Sequence, residues 1–205
     1  GVRLVGSEMC IRDRKNSIRL KNKNHLKISN FSLVERAVKF AFKLNYVDKI
    51  ILSTDDNFNF KENYKLKLHI VKRPKKLAGS KARSEDSILH AVKKLKLEDD
   101  FKDFLVILLQ PTSPFRSKIL IKKAYNKIKK KIFSNYSIIS VSKSQFKNKN
   151  TLSINKNGRL IKKKLFKQKL INCVPNGNFY IARFNYLKKN KFFFKENKSI
   201  PILID

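Results

Sequence analysis

The sequence predicts an α/β domain built on a doubly wound, mostly parallel sheet. Three observations carry this expectation. Short apolar runs alternate with stretches of helical periodicity, several of the runs end abruptly in polar residues, and 205 residues are enough for one core of ordinary size.

Taken in chain order, Phe31, Val34, Val38 and Phe42 with Ala37 and Ala41 predict a helix over 31–45. Lys49–Thr54 reads as a buried strand that stops at Asp55 and Asp56, and Leu68–Val71 as a second extended run before Arg73 and Pro74. Ser84–Leu97 is helical in pattern, with Ser84 as N-cap and Glu85 and Asp86 in the first turn. Phe104–Leu109 is a continuous apolar strand, Ser117–Ile132 a helix, and Ser137–Val141 a further strand. Leu152–Ile154 and Arg159–Ile161 flank Asn157-Gly158 as a hairpin, and Phe179–Ala182 supplies a late strand. On a parallel sheet of this kind ligands bind beyond the carboxyl ends of the strands, so the chemistry is expected after Thr54, Val71 and Leu109.

Lys and Arg total 49 against 15 Asp and Glu, a formal net charge of +34. The excess is mostly lysine, as in Lys21–Lys27, Lys122–Ile132 and Lys143–Lys149, accompanied by Asn and Ile as an A/T-biased coding sequence would give. No stacking repeat of aromatic and arginine residues accompanies it, so a solvated lysine surface is preferred to a nucleic-acid face. A polyanionic substrate would profit from the same field. Cys10 and Cys173 are too few for a disulfide framework or a four-ligand zinc site, and His25, His69 and His90 have no metal-motif spacing. Without a long apolar run or a signal-type N-terminus, a cytoplasmic protein is expected, with no membrane insertion.

The most informative string is Leu108-Leu109-Gln110-Pro111-Thr112-Ser113-Pro114-Phe115-Arg116. A buried strand ends in an amide, two hydroxyls and a guanidinium, on a turn stiffened by prolines. It closely resembles the LLQPTSPLR signature of the cytidylyltransferases that activate acidic nine-carbon sugars, the acylneuraminate (CMP-sialic acid) type. Ile51-Leu52-Ser53-Thr54-Asp55-Asp56 resembles that family's VSTDD strand end. Arg73-Pro74, Leu77-Ala78 and Ser84-Glu85-Asp86 resemble its next segment, and Pro175–Ile181 is similar to its NGAIYI strand. The resemblance runs from Arg14 to about Ile204.

What the resemblance implies is a Rossmann-like nucleotidyltransferase of the nucleotide-diphospho-sugar transferase type. It would transfer CMP from CTP to a 2-keto sugar acid of the sialic, legionaminic or pseudaminic class and release pyrophosphate, for cell-surface glycans such as lipopolysaccharide or capsule. Mg2+ is the implied cofactor and a homodimer the implied assembly, with a dimerisation hairpin at about 143–175. In the phosphate loop Arg14, Ser17, Lys23 and Asn24 match in register, while Ile18 stands where the family has a lysine. Carried over by motif, Arg19 and Lys23 would be catalytic, and Arg14, Asn16, Ser17, Asn24, Arg73 and Ser84 would bind the nucleotide. Gln110, Thr112, Ser113, Lys167, Gln168, Asn176 and Tyr180 would meet the sugar. The family's metal-binding acidic pair is expected beyond Asp205, which leaves Asp55 as a weak metal candidate.

Residues 1–13 do not resemble the family's first strand, and Val5–Asp13 looks like translated sequencing-adapter sequence. The expectation is a non-native tail on a domain spanning 14–205, a central strand lost and an impaired enzyme. The alternatives are a nucleotidyltransferase for another sugar and a basic nucleic-acid-binding module.

Overall fold

A computed structural model of the chain describes residues 7–13, 22–60, 64, 66–79, 82–100, 103–145, 150–162 and 170–204. Where the sequence suggests one domain, the chain divides into two compact units, Gly1–Arg116 and Ser117–Asp205.

In the first unit four strands lie side by side in the order β6-β1-β4-β5, all parallel. They are β1 (Ser7–Arg12), β4 (Lys49–Thr54), β5 (Leu68–Lys72) and β6 (Leu105–Leu109). β1 pairs with β4 on one side, Cys10 opposite Ile51, and with β6 on the other, Cys10 opposite Leu108. A strand covered on both faces reads as an unbroken apolar run, and every position of β6 is buried.

This corrects one expectation directly. Ser7–Arg12, part of the segment 1–13 set aside as a tail, form the central strand of this unit, with all six residues of β1 buried and Met9 and Ile11 fully so, while 1–6 lie outside the described residues. The sequence hides the strand because Ser7, Glu8 and Arg12 interrupt the apolar pattern. Backbone pairing to two neighbours holds the strand in place despite that composition, and a serine and a carboxylate are buried with it.

Helix α1 (Leu33–Phe42) begins later than its periodicity suggested, because Ser32 closes a capping box. The Ser32 hydroxyl accepts from the Glu35 amide (3.1 Å), and the Glu35 carboxylate accepts from the Ser32 amide (2.7 Å). Val34, Ala37, Val38 and Ala41 form its buried stripe. Two short strands, β2 (Lys27–Ile28) and β3 (Phe31–Ser32), pair antiparallel just before it. The helix expected over 84–97 divides into α2 (Ser84–Lys94) and α3 (Leu97–Asp100), separated by Lys96 in the left-handed region (φ 53°). Arg83, not Ser84, is the N-cap residue of α2, so Ser84 is its first helical residue.

The second unit holds α4 (Lys118–Lys129), β7 (Ser137–Lys143), β8 (Leu152–Ile154), β9 (Leu160–Lys162), β10 (Ile171–Arg183), α5 (Phe184–Asn190) and β11 (Ser199–Leu203). Ser117 caps α4, its hydroxyl accepting from the Leu120 amide (3.3 Å). β10 runs antiparallel to β7, and β11 lies parallel to β7 as an edge strand, the position in which Pro201 costs no ladder bond to a second neighbour. The hairpin β8–β9 pairs with the start of β10. Its turn is longer than a two-residue one: the Asn155 carboxamide oxygen accepts from the amides of Asn157 (3.0 Å) and Arg159 (2.9 Å), and Gly158 takes φ 65°.

The buried centre of the first sheet gives a measurable consequence. Ile11→Ala should lower unfolding free energy by about 2–5 kcal/mol, the range for truncating a fully buried isoleucine. Urea denaturation would measure it. A loss no larger than that of a surface substitution would mean that 7–12 does not occupy the central position.

Candidate functional site

Because β6, β1, β4 and β5 are parallel, their carboxyl ends fall on one edge of the first unit. Asp13 follows β1, Asp55 and Asp56 follow β4, Arg73 follows β5 and Gln110 follows β6. The chain passes from β1 to β4 and β5 on one side and then to β6 on the other, so strand order reverses beside β1. An open α/β sheet has its natural ligand crevice at such a point.

A buried guanidinium ties these ends together. Arg73, its side chain fully buried, donates through Nη2 to the Asp13 carbonyl and to the Asp55 carboxylate (2.8 Å). Among the described residues Nε and Nη1 of Arg73 have no hydrogen-bond partner. The Asp13 carboxylate accepts from the Thr54 hydroxyl (2.8 Å) and from the Asn24 amide (2.6 Å), while the Asp13 backbone amide donates to Ser53 (3.0 Å). Burial pushes the Asp13 carboxyl above its ordinary pKa, opposed by the Thr54 and Asn24 hydrogen bonds, while nearby Asp55 adds to the rise and Arg73 opposes it.

Neighbouring groups frame the same edge. Arg12 reaches across to α2, donating to the Ala82 carbonyl (2.6 Å) and the Ser84 hydroxyl (3.3 Å). His25 meets the Asp56 carboxylate at 2.8 Å and stacks on Phe58, centroids 4.6 Å apart. At the end of β6 the Gln110 carbonyl accepts from Arg116 Nη2 (2.5 Å) and from the Ser113 amide (3.0 Å), folding the proline-bearing turn back on itself. The Gln110 side chain is half-buried and Thr112 is exposed.

The residues expected from the sequence divide accordingly. Asn24 and Arg73 converge on Asp13, Ser84 joins them through Arg12, and Lys23 sits half-exposed beside Asn24. Asp55 is bound to Arg73. Arg14, Asn16, Ser17, Arg19, Lys167 and Gln168 lie outside the described residues, as does Ile18.

In the second unit Asn176 serves a bulge in β10. Its carboxamide oxygen accepts from the Ser140 hydroxyl (2.7 Å) and the Asn178 amide (3.1 Å), and its amide donates to Ser142 (3.0 Å). Gly177 takes φ 75° there, a conformation that explains why glycine follows the asparagine. Tyr180 is half-buried, its ring 5.4 Å from that of Phe193.

Two site features escaped the sequence reading. Arg12 and Asp13 were both assigned to a non-native tail. Only their position at the end of an unrecognised strand makes them visible. Both thiols are unsuited to nucleophilic work, since burial pushes Cys10 up to about 12 and Cys173 up to about 11. Among the described residues no group of three or more His, Cys, Asp or Glu side chains could hold a metal ion.

The raised Asp13 carboxyl makes stability depend on pH with a definite sign. The unfolded chain ionises this group near the ordinary value of about 4, the folded chain only at higher pH. Its contribution is therefore full at low pH and declines as pH rises through the folded value. Asp13→Asn should flatten the fall in urea midpoint as pH rises above about 4, and equal slopes for the two proteins would contradict the assignment.

Residues 9–202 match the family model described as Cytidylyltransferase. Two curated relatives are each 29% identical. One, CMP-N,N'-diacetyllegionaminic acid synthase of Legionella pneumophila, is matched over 94% of this chain and 84% of its own length. The other, N-acylneuraminate cytidylyltransferase of Escherichia coli O18:K1:H7, is matched over 88% of this chain but only 43% of its own length. Solved structures share the fold. CMP:2-keto-3-deoxy-manno-octonic acid synthetase complexed with CTP superposes with a TM-score of 0.68 at 11% identity, covering 97% of this chain and 90% of that one. The 2-C-methyl-D-erythritol 4-phosphate cytidylyltransferase of Francisella tularensis superposes at 0.60 and 14% identity, over 98% and 91%. The fold is thus that of the nucleotidyltransferases expected from the sequence, and the chain belongs to the cytidylyltransferase family.

Proposed function

We propose that the protein transfers CMP from CTP to an acidic 2-keto sugar of the sialic or legionaminic type. The observation that carries this reading is the family match together with the strand-end constellation, in which Asn24, Arg73 and the Gln110–Arg116 turn occupy the carboxyl edge of a parallel sheet. The names of the two curated relatives support the sugar class. A sugar hydroxyl oxygen would form a bond to the α-phosphorus of CTP while the bond from that phosphorus to the leaving pyrophosphate breaks. Nothing in this exchange needs a covalent protein intermediate, so the chain's task is to hold the two reactants in line and offset negative charge.

The residue roles are part of the same proposal and follow the motif match. Buried Arg73, already sharing one nitrogen between Asp13 and Asp55, offers positive charge at the crevice. Asn24 and Ser84 are held for the nucleotide by Asp13 and Arg12, Lys23 and Arg19 supply cations to the phosphates, and Gln110, Thr112 and Ser113 face the sugar. The Ile18 that replaces a family lysine weakens the grip on the phosphates in this reading.

Magnesium is part of the proposal, but the described carboxylates do not form a closed site for it. Asp55 is engaged by Arg73 and Asp56 by His25. Such an ion would arrive with the triphosphate, which can supply most of its oxygen ligands. We further assign the protein to the cytoplasm as a homodimer, with the β8–β9 hairpin region as the pairing element. No helix among the described residues is long and apolar enough to cross a membrane.

Ligand choice tests the reading. CTP with magnesium should raise the thermal unfolding midpoint more than ATP, GTP or UTP does at equal concentration, since only a ligand bound by the folded state shifts the equilibrium. Equal shifts for all four nucleotides, or none, would remove it.

A further inference from the structure

A second cationic cavity lies in the first unit, beside the proline-bearing turn that carries Gln110. It has a volume of about 400 Å³ and is lined by one flank of α1 and by the end of the proline-bearing turn. Arg36 and Lys39 come from the helix, Lys43 from its C-cap and Arg116 from the turn, with Phe31, Phe40 and Phe115 between them. No carboxylate is among the described lining residues. The acidic residue of this helix, Glu35, has its carboxylate on the Ser32 amide, where it caps the helix.

The cations of the described lining lie against rings. Lys39 Nζ sits 3.4 Å from the Phe31 ring centroid, Arg36 lies 5.3 Å from that of Phe115, and Arg116 lies 5.9 Å from that of Phe40. Arg36 makes one long hydrogen bond, to the Ile28 carbonyl (3.4 Å), and its buried Nε has no partner among the described residues. Burial and the like charge of Arg36 push the Arg116 guanidinium down to about 10. Two guanidiniums held close enough to repel, in a cavity whose described lining carries no acid, are stabilised by any anion that enters.

We propose that this cavity binds a phosphate monoester whose ester group is apolar or aromatic. The dianion suits four cations better than a carboxylate would, and guanidinium forks match phosphate oxygens in two-pronged geometry. The phenyl rings and Pro114 give the ester group an apolar surface. None of the described residues assigned to nucleotide, sugar or metal is among the described lining of this cavity, so the proposal is tested separately from the cytidylyl-transfer reading.

Phenyl phosphate is the probe, titrated calorimetrically into the whole chain at about 150 mM salt so that diffuse attraction is screened. Saturable one-to-one binding is expected, at least tenfold weaker in Lys39→Gln/Lys43→Gln. The control Lys93→Gln/Lys94→Gln, which removes the same charge from α2, should change it less than twofold. Arg36→Lys keeps the charge and loses the fork, and should weaken binding severalfold. Inorganic phosphate and benzoate should each bind more weakly than phenyl phosphate. Non-saturating uptake, equal weakening by the two double variants, or equal affinity for phenyl phosphate and inorganic phosphate would overturn the proposal.

Discussion

The carboxyl edge of the first sheet depends on one buried guanidinium. Arg73 leaves the end of β5 and joins the Asp13 carbonyl after β1 to the Asp55 carboxylate after β4, so three strand ends are fixed by one side chain. An isolated charge at such depth is costly, and pairing with Asp55 offsets that cost. The carboxylate of Asp13 then fixes Asn24 and Thr54. Loss of Arg73 would leave Asp55 without its buried partner and the edge without its tie.

The chain's positive charge acts at two scales. The lysine-rich surface gives a diffuse field that draws any anion, screened by salt within about 10 Å. The buried cations are different in kind, because Arg73 and Arg116 work where water is scarce and each is held by oxygen acceptors. Selectivity among anions can come only from the second group. This is why the net charge by itself could not separate a nucleotide-using enzyme from a nucleic-acid-binding module.

Much of the fold was legible because burial on both faces leaves an unbroken apolar run, as in Leu105–Leu109 and Ile50–Leu52. Where that rule failed, the cause is local. β1 carries Glu8 and Arg12 in a central position, β11 contains Pro201 at an edge, and α5 spans seven residues, too few to show periodicity. The site was legible through its motifs: Arg73 and Gln110 stand at strand ends as read. Its connections were not, since the bonds from Asp13 to Asn24 and Thr54 link residues 11 and 41 positions apart. Asn176 shows the converse, a motif residue whose hydrogen bonds lie in the bulge between β10 and β7.

Hydrogen exchange with and without CTP tests the central claim, that the nucleotide sits on the edge organised by Arg73. Amides in 54–57, 73–79 and 84–87 should exchange more slowly when CTP and magnesium are present, while those of 137–143 and 199–203 in the second unit keep their rates. Unchanged exchange at 54–57 and 73–79, with protection appearing elsewhere, would contradict it.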